Sequence, residues 1–356
     1  MKAVLLKGHG GFEQLEYRSD VPTPQPRSGE VLVRVGAAGV NNTDINTRTA
    51  WYSKSVTEGT TAEGAVSGIA AARSEDAGWT GAEPVFPRIQ GADACGHIVA
   101  VGPGVDPRRI GDRVLIEPVF RIPGVTDPFK VVYFGSECDG AFAEFTRVPS
   151  IHAHRITSAL SDAELASFPC AYSAAENMLT RLDLRAGQTV LVTGASGGVG
   201  SAAVQLAARR GAIVLAVAAA AKAEAVLALG AARIVARETA LSAALEPESV
   251  DAVVDVVGGA GWGALLGILR RGGRYAVAGA IAGPTVELDL RTLYLKDLRL
   301  QGCTVLEPAV FPNLLGYIER GEIRPLLAGT YPLADIVRAQ TDFLAKQHTG
   351  KLVLIP

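Results

Sequence analysis

The chain has 356 residues, more than a single hydrophobic core usually serves, so two domains are expected. A formal net charge of −2 offers no basic footprint for nucleic acid or an anionic membrane, and 48% apolar residues suffice for a large core. The four cysteines, Cys95, Cys138, Cys170 and Cys303, form no C-x-x-C pair, which argues against a disulfide framework or a zinc ribbon.

The run Met1–Lys7 is too short and too soon polar for a signal peptide, and the apolar stretch 212–221 is far too short to span a bilayer. A soluble, cytoplasmic protein is expected. Residues 1–150 read as β-rich, with short β-branched runs at Val31–Val35, His97–Val101 and Arg113–Ile116. Pro22, Pro24, Pro26, Gly102, Pro103, Gly104 and Gly111 punctuate them at a spacing that suits a compact barrel-like domain. Between Thr49 and Gln90 the pattern lapses. Ser53–Pro84 is rich in small and polar residues, with Trp79 as its one large anchor. A loop of that length is usually functional or disordered, and it is taken as an insertion near the substrate mouth.

From about Leu160 strands alternate with helices. Thr189–Thr193 reads as a buried strand, Gly200–Arg210 as a helix, Ile213–Val217 as a second strand and Lys222–Leu229 as a second helix. Ile234–Val235, Ala252–Val257 and Tyr275–Ala278 continue the series. This alternation implies a parallel, doubly wound sheet. Two helical patterns and a closing strand, Lys351–Ile355, end the chain.

The strand at Thr189 runs directly into Gly194-Ala195-Ser196-Gly197-Gly198-Val199-Gly200, and a helix follows. Ala195 stands where G-x-G-x-x-G has its first glycine, while Gly197 and Gly200 hold the other two. Backbone N–H groups in such a turn can approach a pyrophosphate, whose charge then sits at the helix N-terminus. A Gly-rich turn alone is weak, but strand, turn, helix and second strand arrive here at the right distances. Thr193, Ala195, Ser196, Gly197, Gly198, Val199, Gly200, Ala218, Lys222, Gly279 and Lys351 are the candidate dinucleotide contacts. The second strand ends in Ala218-Ala219-Ala220-Ala221-Lys222, with no carboxylate for a ribose 2′-OH. Lys222 can meet the 2′-phosphate of NADPH or simply begin a solvated helix face. NADPH is the expected cofactor, with NADH possible.

These motifs, taken in order, resemble the zinc-independent, quinone oxidoreductase-like branch of the medium-chain dehydrogenase/reductase superfamily. The resemblance rests on Gly29–Val33, Gly39–Asp44, Gly91–Gly96, Gly111–Val114, Gly140–Phe145, the turn Ser196–Gly200, Leu229–Ala231 and Gly350–Leu354. It implies a GroES-like, β-rich domain over 1–155, completed by 307–356, and an inserted Rossmann domain over 156–306. It also implies a small-molecule substrate in the cleft between them and a homodimer paired through the segment Leu298–Gly302. Neither nucleic acid nor membrane is an expected partner.

Zinc-dependent members hold their metal with residues that match Asn41, Ala92, Asp93 and Cys170 here. Catalytic zinc needs about three protein ligands plus an open position, and Asn and Ala remove two. The structural zinc lobe is also absent, Cys138 standing alone, so no metal is expected. Cys95 and His97 share a face of a probable strand, where a buried Cys and a hydrogen-bonded His are commoner than a metal site.

Without a Lewis acid, hydride transfer to a quinone or an activated C=C bond remains feasible. Asn41 either bonds a substrate oxygen or satisfies loop backbone. Tyr52, in Ala50-Trp51-Tyr52, resembles the Gly-x-Tyr segment of enoyl reductases and is the candidate proton donor; alternatively Trp51 and Tyr52 wall an apolar pocket. Tyr172 is a weaker pocket-lining candidate. The expected activity is NADPH-dependent reduction of quinones or α,β-unsaturated carbonyl compounds. The alternatives are an alcohol dehydrogenase of the same superfamily and, in another class, a low-turnover NADPH-binding structural or regulatory protein.

Overall fold

A computed structural model describes residues 1–356. Contacts divide the chain into two units: 1–56, 60–170 and 325–356 in the first, 57–59 and 171–324 in the second.

The first unit is built on a mainly antiparallel sheet whose strands run in the order Ala153–Arg155, Arg113–Ile116, Cys95–Val101, Glu30–Gly39, Lys351–Ile355 and Leu327–Pro332. The expected strands at 31–35, 97–101, 113–116 and 351–355 all lie in it. The last of them crosses almost the whole chain length to pair with Glu30–Gly39: Val353 faces Gly39 and Leu354 faces Ala38 in antiparallel register. A core including Val31, Val33, Val35, Ile98, Val114, Ile116, Phe142 and Leu354 fills the unit.

The insertion is ordered. It carries a helix, Ala62–Ser67, capped by Thr61, whose hydroxyl accepts the Gly64 N–H at 3.0 Å. Its base is tied by Lys54 N–H to Asp76 (2.8 Å) and Arg73 N–H to Ser53 Oγ (3.1 Å). Arg48, fully buried, donates to the carbonyls of Gly10 (3.0 Å) and Ala65 (2.8 Å) and to Gln340 (3.1 Å). One guanidinium thus joins the N-terminal loop, the insertion helix and the helix Ile336–Ala345.

The second unit holds a six-stranded, all-parallel sheet in the order Arg233–Ala236, Ile213–Ala218, Thr189–Val192, Val250–Asp255, Leu269–Val277, Arg299–Gly302. The order reverses beside Thr189–Val192, the strand that feeds the glycine turn, which is where a doubly wound sheet binds its ligand. No helix in the molecule is long and apolar enough to cross a membrane.

The unit boundaries fall at 170/171 and 324/325 rather than at the expected 155/156 and 306/307. Residues 156–170 stay with the first unit because Asp162 accepts the Arg113 guanidinium at 2.7 Å and Leu165 and Phe168 are fully buried. Residues 307–324 stay with the second: Glu307 N–H bonds Asn177 (3.0 Å), Tyr317 bonds Glu176 (3.3 Å) and Arg324 N–H bonds Gln205 (3.1 Å).

Candidate active site

In the first unit a buried polar cluster forms where three distant segments meet. Pairing of the closing strand with Glu30–Gly39 sets Lys351 beside Asn41, an arrangement pinned by Val40 N–H to Leu352 O at 2.9 Å. Asp93 can come close because residue 39 is glycine: a Cβ there would lie 2.6 Å from an Asp93 oxygen. The Lys351 ammonium bonds Asn41 Oδ1 and, at 2.6 Å, Asp93 Oδ2. Asn41 Nδ2 donates to the same Asp93 oxygen (2.8 Å), and Asp93 Oδ1 accepts the Cys170 N–H (2.6 Å). Lys351 and Asp93 are 3% and 0% exposed, so the pair survives only because these hydrogen bonds offset the desolvation.

Asp44 is also buried and accepts the Asn41 N–H at 2.7 Å. Burial, opposed by that bond and by Lys351, pushes its carboxyl up to about 7. The cluster therefore holds one ammonium and two carboxyls, and a proton on Asp44 makes it neutral. Asn41, a candidate to bond substrate, has both ends of its amide engaged inside this cluster. Lys351, a candidate cofactor contact, has its ammonium on Asp93 and Asn41.

Tyr52 lies near this cluster, on the turn after the helix Asn42–Arg48, where Ala50 takes a left-handed φ of 59°. Its hydroxyl donates to Thr43 Oγ1 at 3.1 Å. Burial pushes the phenol up to about 12, so it keeps its proton at neutral pH. The sequence reading missed Thr43, although its place between Asn41 and Asp44 was in view. Tyr172 is 2% exposed, and its hydroxyl donates to Arg324 O (2.8 Å) and accepts from Gln205 (2.8 Å) within the second unit.

In the second unit the glycine turn is shaped for close approach. Gly194 has φ +57°, and a Cβ on Gly200 would sit 2.1 Å from the Gly194 carbonyl oxygen. The helix Gly198–Arg209 starts here with Gly197 as its cap, presenting its first-turn N–H groups, with Ser196 and Val199 partly exposed beside them. Thr193 Oγ1 donates to Asp255 at 2.6 Å, and Asp255 also accepts from Tyr275 (2.6 Å) and Val257 N–H (2.9 Å). Asp255 thereby holds two strand ends together beneath the turn. An acid closing an apolar strand was the available sign of it. Ala218 is buried at the end of its strand, and Gly279, where a Cβ would lie 3.2 Å from Val256 O, follows the strand Leu269–Val277.

Lys222 gains a neighbour that the sequence reading missed. Arg237, at the end of the adjacent strand, donates its N–H to Ala218 O at 3.0 Å. Burial, and then the Arg237 charge, hold the Lys222 ammonium below its usual range. The Arg237 guanidinium also pairs with the exposed Glu238 carboxylate at 3.2 Å, so this end of the sheet carries two cations and one acid. The glycine cradle and helix start fit the pyrophosphate of a nicotinamide dinucleotide.

The residues at the zinc positions do not fit zinc. Asn41 Oδ1 faces an ammonium, Ala92 carries no donor, and both Asp93 oxygens are taken. Burial raises the Cys170 thiol above its ordinary value. A second group of metal-ligand types, Glu117, His152 and His154, brings its donor atoms within 4.8 Å of one another. There the Arg121 N–H donates to His152 Nε2 at 3.1 Å, which leaves the ring proton on Nδ1, 2.8 Å from Glu117. A protonated Nδ1 has no lone pair for a metal. Cys95 is fully buried with its thiol on Asp162 at 3.5 Å.

The family model for the alcohol dehydrogenase GroES-like domain matches residues 27–158, and that for zinc-binding dehydrogenase matches 198–320. A solved structure from Sinorhizobium meliloti, provisionally named an alcohol dehydrogenase, is 48% identical with a TM-score of 0.90, over 100% of this chain and 96% of its own. The chain is 29% identical to acryloyl-coenzyme A reductase of Metallosphaera sedula, with 99% of each covered. It is 28% identical to quinone oxidoreductase of Mus musculus, over 100% of this chain and 98% of that protein. With a GroES-like unit, a parallel Rossmann sheet and these relatives, the chain belongs to the medium-chain dehydrogenase/reductase superfamily and is an NAD(P)-dependent oxidoreductase.

Proposed function

We propose that the enzyme reduces quinones or α,β-unsaturated carbonyl compounds with NADPH and without zinc. The observation that carries this reading is the Lys351 ammonium, lodged between Asn41 and Asp93 among the residues that correspond to a zinc site. A simple ketone at this site has no Lewis acid to polarise its oxygen and depends on a proton donor alone, whereas a conjugated acceptor also spreads the incoming charge over its own π-system. The names of two relatives, acryloyl-coenzyme A reductase and quinone oxidoreductase, describe acceptors of this kind.

Lys222 and Arg237 support NADPH over NADH, since no carboxylate ends the second strand and two cations flank that position. Bound NADPH supplies the hydride. Tyr52 holds a proton at neutral pH and passes it through Thr43 Oγ1, 3.1 Å away, to the reduced acceptor. Asp93, Lys351 and Asp44 hold Asn41, the cap of the helix whose first turn carries Thr43. Pairing of two copies is also proposed: Arg299–Gly302 is an open edge strand, and the exposed apolar residues Leu290, Tyr294 and Leu295 precede it closely.

The 48% identity to a protein provisionally named an alcohol dehydrogenase favours one second reading, a metal-assisted alcohol or carbonyl oxidoreductase. A single experiment separates the two. Purified protein is analysed for metal, treated with chelator, and assayed for NADPH oxidation with quinones, enones and enoyl thioesters, and for alcohol oxidation with NADP⁺. Full activity toward conjugated acceptors after chelation is expected. Chelator-sensitive alcohol oxidation, or no turnover of any conjugated acceptor, overturns the reading.

A further inference from the structure

Asp255 closes the strand Val250–Asp255, which lies beside Thr189–Val192 in the parallel sheet of the second unit. Its side chain is fully buried, and every polar group bonded to it is a donor. One oxygen accepts Thr193 Oγ1 at 2.6 Å and the Val257 N–H at 2.9 Å. The other accepts the Tyr275 hydroxyl at 2.6 Å, and the Gly258 N–H reaches both oxygens at 3.3 Å. Four donors on two oxygens leave no acceptor for a carboxyl proton, which is the pattern of a carboxylate. All four donors are neutral, so the strand ends in a buried negative charge that dipoles solvate and no bonded cation cancels. Asparagine would cap the same loop N–H groups without the cost of burying a charge.

This charge lies under the floor of the coenzyme site. The glycine turn and Gly279 converge on the next residue, Val256. A Cβ on Gly194 would stand 3.0 Å from a Val256 methyl, and one on Gly279 3.2 Å from the Val256 carbonyl oxygen. The Asp255 carbonyl oxygen accepts the Ala278 N–H at 3.2 Å, tying the two strand ends together. A doubly wound sheet carries its dinucleotide across the strand ends, one mononucleotide on each side of the switch point. Lys222 follows the strand Ile213–Ala218 on the adenosine side, where the ribose 2′ position is read. Val250–Asp255 is the first strand on the other side, which assigns it to the nicotinamide half.

We propose that the buried Asp255 carboxylate poises the bound coenzyme, holding its oxidised form more tightly than its reduced form and so strengthening NADPH as a hydride donor. This rests on the NADPH reading above and adds a direction to it. The nicotinamide ring is neutral when reduced. It carries one positive charge once a hydride, with both electrons, has passed to the acceptor, which then takes up a proton. A fixed negative charge in a low-dielectric floor stabilises the second state and leaves the first nearly unaffected. Being fully buried, Asp255 acts through its field rather than by contact.

The test is the ratio of dissociation constants, oxidised over reduced, from calorimetric titration of wild type, Asp255→Asn and Tyr275→Phe. NADP⁺ with NADPH forms one couple and NAD⁺ with NADH the other. The 2′-phosphate is common to both members of a couple and cancels in the ratio. Thermal unfolding reports whether the fold is kept. Wild type is expected to bind the oxidised form more tightly. Asp255→Asn keeps an oxygen for the loop N–H groups and is expected to raise the ratio about tenfold, equivalent to about 30 mV in the bound two-electron couple. Tyr275→Phe removes one donor but keeps the charge, so it is expected to lower stability and leave the ratio within about twofold of wild type. Equal changes in both affinities in Asp255→Asn would make Asp255 a brace for the loop, overturning the poise while leaving the coenzyme reading standing. A ratio that moves as far in Tyr275→Phe overturns it as well. Wild type that holds the reduced form more tightly overturns it whether or not the variants fold. The expected shift in a protein that reduces no conjugated acceptor supports the poise and overturns the reductase. Protein that binds none of the four coenzymes overturns both.

Discussion

Asp44→Asn tests the reading of the buried cluster through pH. Asp44 is 2% exposed, and burial raises its carboxyl from the ordinary 3.8 to about 7, against the Asn41 N–H and Lys351, which lower it. A folded-state value above the unfolded one means that the native protein holds this proton more tightly. The contribution to stability is therefore complete below 3.8 and is lost as pH rises through about 7. With one pK unit equal to about 1.4 kcal/mol, linkage gives a loss of about 2 kcal/mol at pH 5 and about 4 kcal/mol at pH 8. Wild type should then lose about 2–3 kcal/mol between those pH values through this one group. Asparagine keeps an oxygen for the Asn41 N–H and does not titrate. Urea denaturation of both proteins at pH 5, 6, 7 and 8 isolates the effect, since titrating groups that do not interact with Asp44 cancel in the difference. The variant is expected to gain on wild type steadily as pH rises. Parallel curves would show that Asp44 is ionised throughout, and the neutral cluster would be wrong.

Three further outcomes are expected. Lys351→Met leaves Asp93 buried without its cation and is expected to cost about 3–5 kcal/mol in denaturant unfolding, with Lys351→Met/Asp93→Asn clearly more stable than the single variant; an additive double variant would show that the two do not act as a pair. Tyr52→Phe removes the proton at the head of the Thr43 path and is expected to lower kcat about 10²-fold or more with NADPH affinity kept; unchanged turnover would take Tyr52 out of the mechanism. Lys222→Ala is expected to weaken NADPH about tenfold and leave NADH little changed, read by fluorescence titration; equal effects on both would refute the 2′-phosphate assignment.

The sequence by itself determined the parts that local patterning encodes. Strand Thr189–Val192, the glycine turn and the helix Gly198–Arg209 were legible because alternation, helical spacing and glycine each act within a few residues. The strands at 113–116 and 351–355 were placed residue for residue for the same reason. The unit boundaries were displaced by 15 and 18 residues because helix 162–165 and the segment 307–324 are assigned by ion pairs and hydrogen bonds, not by texture.

What only the tertiary structure decided is which charges and rings share one place. Lys351 reads in the sequence as one residue of a terminal motif; strand pairing across 310 positions brings it onto Asn41. The resulting desolvation sets the Asp44 proton and fills a would-be metal site with an ammonium. Arg237 beside Lys222, Asp255 under Thr193 and Tyr133 under Trp79 are likewise products of packing. Hydrophobic pattern fixes where a chain turns and buries, but a charge or a ring acquires its role from the low-dielectric neighbours that long-range pairing supplies.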